Sequence, residues 1–171
     1  MYVLGTGKSL IINAITRRLK EEFGDDSVLL LAPTGVAAVN IGGATIHSKL
    51  HIPRSNDNFE SLSGGCARKF INDMKSVKFL VIDEFSMIGS ALLGMIERRC
   101  QEAKGSDGDF FGGLFVYLFG DINQLPPVMD KALYLEGIHF SNLSMHGKHV
   151  FENFQATVVL TKVMRQNDEK F

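Results

Sequence analysis

GTGKSLIINAITRRLKEEFGDDSVLLLAPTG, residues 5–35, is the stretch that decides the fold. A glycine-bounded loop runs straight into a helix-period segment. In SLIINAITRRLKEEF (9–23), Leu10, Ile11, Ala14, Ile15 and Leu19 recur at helical spacing until Gly24 closes the run. SVLLLA (27–32) is then a continuous apolar run, as expected of a strand covered on both faces, and PTGVAAVN (33–40) reopens a short helix. The same alternation continues outward. PRSNDNFESLSGG (53–65) reads as a polar loop, CARKFINDMKS (66–76) as a helix and VKFLVID (77–83) as a second buried strand. SALLGMIERRCQEAK (90–104) is a further amphipathic helix, followed by a flexible GSDGDFFGG. LFVYLFGD (114–121) reads as the third strand and ATVVLT (156–161) as a fourth. Strand alternating with helix predicts an α/β fold with a mainly parallel sheet flanked by helices. In such sheets ligands sit beyond the carboxyl ends of the strands.

Composition agrees. The chain has 171 residues, 45% hydrophobic and 22% charged, with Lys+Arg 18 against Asp+Glu 19. That is one domain, or a piece of a larger one, and not a disordered tail. Cys66 and Cys100 have no C-x-x-C spacing, so neither a disulfide framework nor a zinc site is expected; both read as buried, reduced thiols. No apolar run approaches the roughly 20 residues of a membrane span, and MYVLGTGKS carries no basic segment ahead of a hydrophobic signal core. A pI near 6.5 gives no global basic footprint, so a nucleic-acid partner would need a local groove. Arg17-Arg18-Leu19-Lys20 and Arg98-Arg99 read as wet helix faces. His51, His139, His146 and His149 lack metal-ligand spacing. Phe85 and Met87 read as core.

Three short motifs carry chemistry. Gly5-Thr6-Gly7-Lys8-Ser9 opening a helix is similar to the second half of the phosphate-binding loop G-x-x-x-x-G-K-[ST]. Its glycines let backbone N–H groups approach phosphates, the helix N-terminus favours an anion, and a lysine reaches the terminal phosphates. The Ser9 hydroxyl suits a magnesium ion. Tyr2 stands where the pattern has its first glycine. Asp83-Glu84 ends the strand VKFLVID, putting two carboxylates at the sheet edge: Asp83 for the metal, Glu84 as general base toward water. In Gly120-Asp121-Ile122-Asn123-Gln124-Leu125-Pro126-Pro127-Val128, Gln124 can contact both a γ-phosphate and the attacking water.

GTGKS, LAPTGVAAVNIGGATIHS (31–48), FLVIDEFSMIG (79–89), GDINQLPPV (120–128) and LTKVMRQ (160–166) together resemble, in order and spacing, the Pif-one-like DNA helicases of superfamily one. The resemblance implies a RecA-like P-loop NTPase domain and ATP hydrolysis, with Mg2+, coupled to 5′-to-3′ DNA unwinding in repair, recombination, and telomere or replication upkeep. It implies Gly5, Thr6, Gly7, Lys8 and Ser9 around the phosphates, Ser9 and Asp83 on the metal, and Glu84, Gln124 and Arg165 as catalytic residues. Arg165 would bring a fixed charge to the γ-phosphate. Pro33, Thr34, Gly35, Thr45, His47 and Ser48 fall on the family's single-strand DNA contacts. Small hydroxyls and backbone N–H groups of this kind hold phosphates without reading bases; His47 reads equally well as a structural histidine. An intracellular location follows from the resemblance, nucleus or mitochondrion in a eukaryote and otherwise cytoplasm.

Against the family pattern, the strand before the phosphate loop is expected to be missing or reduced to MYVL, and the second motor domain to be absent after Phe171. Residues 1–171 thus read as a partial N-terminal motor domain that would unwind little or nothing by itself. The alternative is a non-catalytic remnant binding nucleotide or single-stranded DNA weakly. A small kinase would need a basic lid, and residues 130–155 contain no arginine.

Overall fold

The computed structural model describes residues 7–53, 59–135 and 141–161. Helix α1 (Lys8–Phe23) starts at Gly7, whose left-handed backbone (φ 81°) suits a residue without a β-carbon. It stops at Gly24, whose N–H donates to the Lys20 carbonyl. Strand β1 (Val28–Ala32), helix α2 (Gly35–Asn40), a two-residue strand β2 (Ala44–Thr45) and a single-turn helix α3 (Ile46–Lys49) follow. Next come α4 (Gly64–Met74), β3 (Phe79–Ile82), α5 (Ser90–Lys104), β4 (Phe115–Leu118) and α6 (Asn142–Glu152). The four strands are parallel in the order β2-β1-β3-β4.

Alternate strand residues feed two cores. Leu29, Leu31, Leu80, Ile82, Val116 and Leu118 point to the face covered by α4, α5 and α6. Leu30, Ala32 and Val81 point to the other face, where Ile12 of α1 and Ala37, Ala38 and Ile41 of α2 lie. The result is a three-layer α/β sandwich, and β3 at its centre is buried at every position.

Five expectations need correction. ATVVLT (156–161) forms no strand: Val158 and Val159 are exposed, and β4 pairs with β3 alone among the described residues. High β-propensity without a ladder partner does not make a strand. The buried stripe of α1 is Ile12 and Thr16, while Leu10 is exposed, because the helix turns toward α2 and β1. GSDGDFFGG is not loose, since Phe111 is buried and Gln101 Nε2 donates to the carbonyls of Asp107 and Asp109. Cys66 is exposed on α4, and Cys100 alone is buried.

Arg99 is the fifth: it is 1% exposed. Helix α5 is wedged between sheet, α4 and α6, so the side opposite its apolar stripe is also covered. There the Arg99 guanidinium donates to Glu102 and to the carbonyls of His51 and Glu60, and lies over the Phe59 ring. Glu102 in turn accepts from the Leu62 N–H. This pair fastens the segments flanking residues 54–58 to the core. Lys104 does the same for the end of α4, its ammonium donating to the carbonyls of Met74, Lys75 and Val77. Desolvation pulls its pKa below the ordinary lysine value.

Helix α6 was not anticipated from sequence. It crosses α5 where Gly147 meets Ser90 and Gly94, and His146 Nε2 lies 2.8 Å from the buried Glu97 carboxylate. Burial pushes the Cys100 thiol up to about 12. A native-state disulfide-exchange reagent is therefore expected to label Cys66 promptly and Cys100 only on unfolding. Rapid labelling of both would contradict the placement of α5.

Candidate functional site

Because all four strands are parallel, their carboxyl ends share one edge, and strand order fixes what emerges along it. From β2 come Thr45, His47 and Ser48; from β1, Pro33, Thr34 and Gly35; from β3, Asp83 and Glu84; from β4, the turn that carries Gln124. The six DNA-contact candidates thus occupy one half of the edge and the hydrolytic candidates the other. Ala32 and Thr45 are register partners, so the two candidate DNA-contact segments leave adjacent strands side by side.

Thr34 caps α2, its hydroxyl accepting the Ala37 N–H at 3.2 Å. Gly35 and Ser48 are exposed; Pro33, Thr45 and His47 are half-buried. His47 makes interactions of its own, which leaves its structural reading standing beside the functional one.

On the hydrolytic half, Asp83 is buried. Its N–H donates to the Leu31 carbonyl, and its carboxylate accepts the Glu84 N–H at 2.8 Å. Glu84 adopts a left-handed backbone (φ 55°, ψ 45°), a conformation costing a non-glycine residue about 1 kcal/mol or more and found where side-chain aim matters. It aims toward Lys8, with Nζ to Oε1 at 3.9 Å. Lys8 Nζ is buried and has no hydrogen-bond partner among the described residues. A desolvated ammonium with one distant carboxylate is poorly compensated, and it sits in the first turn of α1, whose N–H groups have no intrahelical acceptor. Both features suit a polyanion.

Ser9 is exposed on that same turn, and no hydrogen bond joins it to Asp83 among the described residues. A hydroxyl and a carboxylate are oxygen donors of the kind Mg2+ takes while keeping several waters. No group of three or more His, Cys, Asp or Glu gathers to hold a metal among the described residues. Gln124 is half-buried, its N–H donating to the Asp121 carbonyl. Thr34, Glu84 and Gln124 line one groove of about 770 Å3, with Val36, Asn40, Met87, Asn123, Leu125 and Pro126. The groove spans from the half of the edge with the DNA-contact candidates to the half with the hydrolytic candidates. Phe85 is partly buried and stacks against Phe151, whereas Met87 is half-buried in the groove wall.

Gly5, Thr6 and Arg165 lie outside the described residues, as does His139. Among the described residues no helix is long and apolar enough to cross a membrane. One residue that sequence reasoning missed is Asp130, whose carboxylate caps α5 from 38 and 39 positions away; nothing local in VMDKA signals so distant a partner.

A family model described as PIF1-like helicase matches residues 2–171. The chain is 37% identical to ATP-dependent DNA helicase RRM3 of Saccharomyces cerevisiae, over 97% of this chain and 22% of that protein. It is similar to the solved structure of unliganded Pif1 from Bacteroides, with a TM-score of 0.68 and 32% identity over 96% of this chain and 37% of that one. It is also similar to Bacteroides Pif1 helicase in complex with ADP-AlF3 and ssDNA, with a TM-score of 0.67 and 29% identity over 96% and 38% of the two chains. The chain therefore spans about a fifth of the length of the curated relative and under two-fifths of the solved ones.

Proposed function

The chain belongs to the PIF1-like helicase family, and from that premise we propose that it is the nucleotide-binding first motor domain of an ATP-dependent DNA helicase that tracks single-stranded DNA in the 5′-to-3′ direction. The observation that carries this reading is the Lys8 ammonium, buried at the head of α1 without a hydrogen-bond partner among the described residues and facing Glu84. It supports a site built to receive the β- and γ-phosphates of ATP.

In this reading Lys8 neutralises phosphate charge, while Gly5, Thr6 and Gly7 present backbone N–H groups to it. Ser9 and Asp83 would hold the Mg2+ that accompanies ATP, and the ion would supply charge screening to the phosphates. An incoming phosphate competes with Glu84 for the ammonium, and the freed carboxylate then orients water as general base. Gln124 contacts the γ-phosphate, and Arg165 adds positive charge as the transition state develops. Pro33, Thr34, Gly35, Thr45, His47 and Ser48 hold the DNA backbone. Repair, recombination, and telomere or replication maintenance, in the nucleus or mitochondrion of a eukaryote and otherwise in the cytoplasm, are the settings this activity implies.

The DNA half is tested with a fluorescein-labelled oligothymidylate followed by anisotropy. Ser48 is exposed, so Ser48→Glu sets a negative charge against a phosphate without disturbing the core. We expect its affinity for the single strand to fall about tenfold, with an unchanged melting temperature and a reduced salt dependence. Equal affinity of variant and wild type would remove α3 from the DNA track. The alternative, a non-catalytic remnant with weak nucleotide or DNA binding, predicts nucleotide affinity that is indifferent to Lys8.

A further inference from the structure

The segment that carries Gln124 is fastened at both ends to the segment that carries Asp83 and Glu84. At its start, the Phe119 N–H donates to the Ile82 carbonyl at 2.7 Å and the Phe119 carbonyl accepts the Phe85 N–H at 2.9 Å. Gly120 lies so near that a β-carbon there would come within 2.8 Å of Phe85 N. At its end, the Asp130 carboxylate accepts the N–H groups of Ala91 at 3.3 Å and Leu92 at 3.0 Å. The Ser90 N–H donates to the Lys131 carbonyl at 2.8 Å, and Gly89 pairs with Ala132 in an antiparallel bridge. Helix α5 has no side-chain cap of its own, its N-cap position being Gly89. A β-carbon at Gly89 would collide with the Asp130 carboxyl carbon, so the glycine is what lets the distant aspartate in.

Between the two fastenings, little burial holds the loop. Ile122, Leu125, Val128 and Met129 are all exposed, Met129 fully. Its internal bonds are local: the Gln124 N–H to the Asp121 carbonyl, and the Asn123 N–H to the Asp121 carboxylate. A loop without packing takes its position from its ends. One end continues a core strand; the other is held by the Ser90–Lys131 bond and the Gly89–Ala132 bridge and, at the residue nearest the loop, by the Asp130 carboxylate on two helix N-terminal amides, a charge-assisted and dipole-favoured contact.

We propose that Asp130 is a positioning residue, a clamp that sets Gln124 relative to Glu84 by tying the far end of the 120–129 loop to the first turn of α5. The inference rests on the reading of Gln124 as the γ-phosphate contact. In this role Asp130 acts on Gln124 through the loop.

The test compares Asp130→Ala and Asp130→Asn with wild type in two measurements on the 171-residue chain. The first is affinity for Mg-ADP and for Mg-ADP with aluminium fluoride, the second of which fills the γ-phosphate position. Expected for Asp130→Ala is a loss of tenfold or more for the fluoride complex, with Mg-ADP affinity within twofold of wild type. Asp130→Asn, which keeps one acceptor oxygen, recovers part of the loss. A merely structural role would lower both affinities together, and that result, or unchanged affinity for both, overturns the proposal. The second measurement is amide hydrogen exchange without nucleotide. Exchange across 121–129 is expected to quicken tenfold or more in Asp130→Ala while α6 keeps its protection; unchanged exchange there overturns the clamp. Should wild type bind neither nucleotide, the phosphate-site reading fails, and exchange alone decides whether Asp130 holds the loop.

Discussion

Replacing Gly147 with valine is expected to strip helix α6 from the protein and cost more than about 4 kcal/mol, the range reserved for gross disruption of a core. A β-carbon at this position would run into the Ser90 carbonyl oxygen and stand 2.8 Å from Gly94 N. Both obstacles are backbone of α5, which cannot swing aside as a side chain would. Gly94 makes the reciprocal demand: its β-carbon would lie 2.7 Å from the Leu143 carbonyl oxygen. The helices touch through paired glycines, and separating them uncovers Leu143 and Val150 and leaves Glu97, 1% exposed, without His146. The milder Gly147→Ala gives a sharper reading of sign. In an open helix, glycine to alanine stabilises by up to about 1 kcal/mol; here overpacking costs about 1–3 kcal/mol, so net destabilisation is expected. Urea denaturation measures both variants, and a stabilised Gly147→Ala would mean that α5 and α6 do not meet as described.

That crossing also marks the boundary of what sequence could disclose. Strands 28–32, 79–82 and 115–118 and helix 90–104 were legible because each is a local pattern: an apolar run or a 3.6-residue period, ended by glycine or a polar turn. Their carboxyl ends then pointed to the candidate site, where Thr34, Glu84 and Gln124 line one groove and Lys8 faces Glu84. Helix α6 was obscure because NLSMHGKHVFE places glycine and histidine in its middle, and both make sense only against α5, where Gly147 permits close approach and His146 meets Glu97. Arg99 was misread for the same reason. A pair of arginines on a helix looks solvated until a second layer covers that side. ATVVLT failed in the opposite direction: its composition suits a strand, but strand formation depends on an edge to join. Asp130 acts across 38 and 39 residues of sequence. In each case the missing information was tertiary, and no local propensity encodes it.

The second large effect is expected at Lys8. Lys8→Ala removes the only ammonium that the described residues place beside Glu84 and Asp83, and the anion would then face two carboxylates with no fixed positive charge between them. At least a hundredfold loss in Mg-ATP affinity is expected, since a charge-assisted contact to phosphate in a partly desolvated site is worth several times an exposed ion pair. The fold should survive or gain slightly, because a buried ammonium without a hydrogen-bond partner among the described residues is itself a cost. Unchanged melting with abolished binding would separate a ligand role from a structural one.

Titration calorimetry of the 171-residue chain with a non-hydrolysable Mg-ATP analogue tests the central claim most directly. One-to-one binding in wild type, lost in Lys8→Ala, is the predicted result. No measurable heat in wild type, or equal affinity in the two proteins, would contradict it.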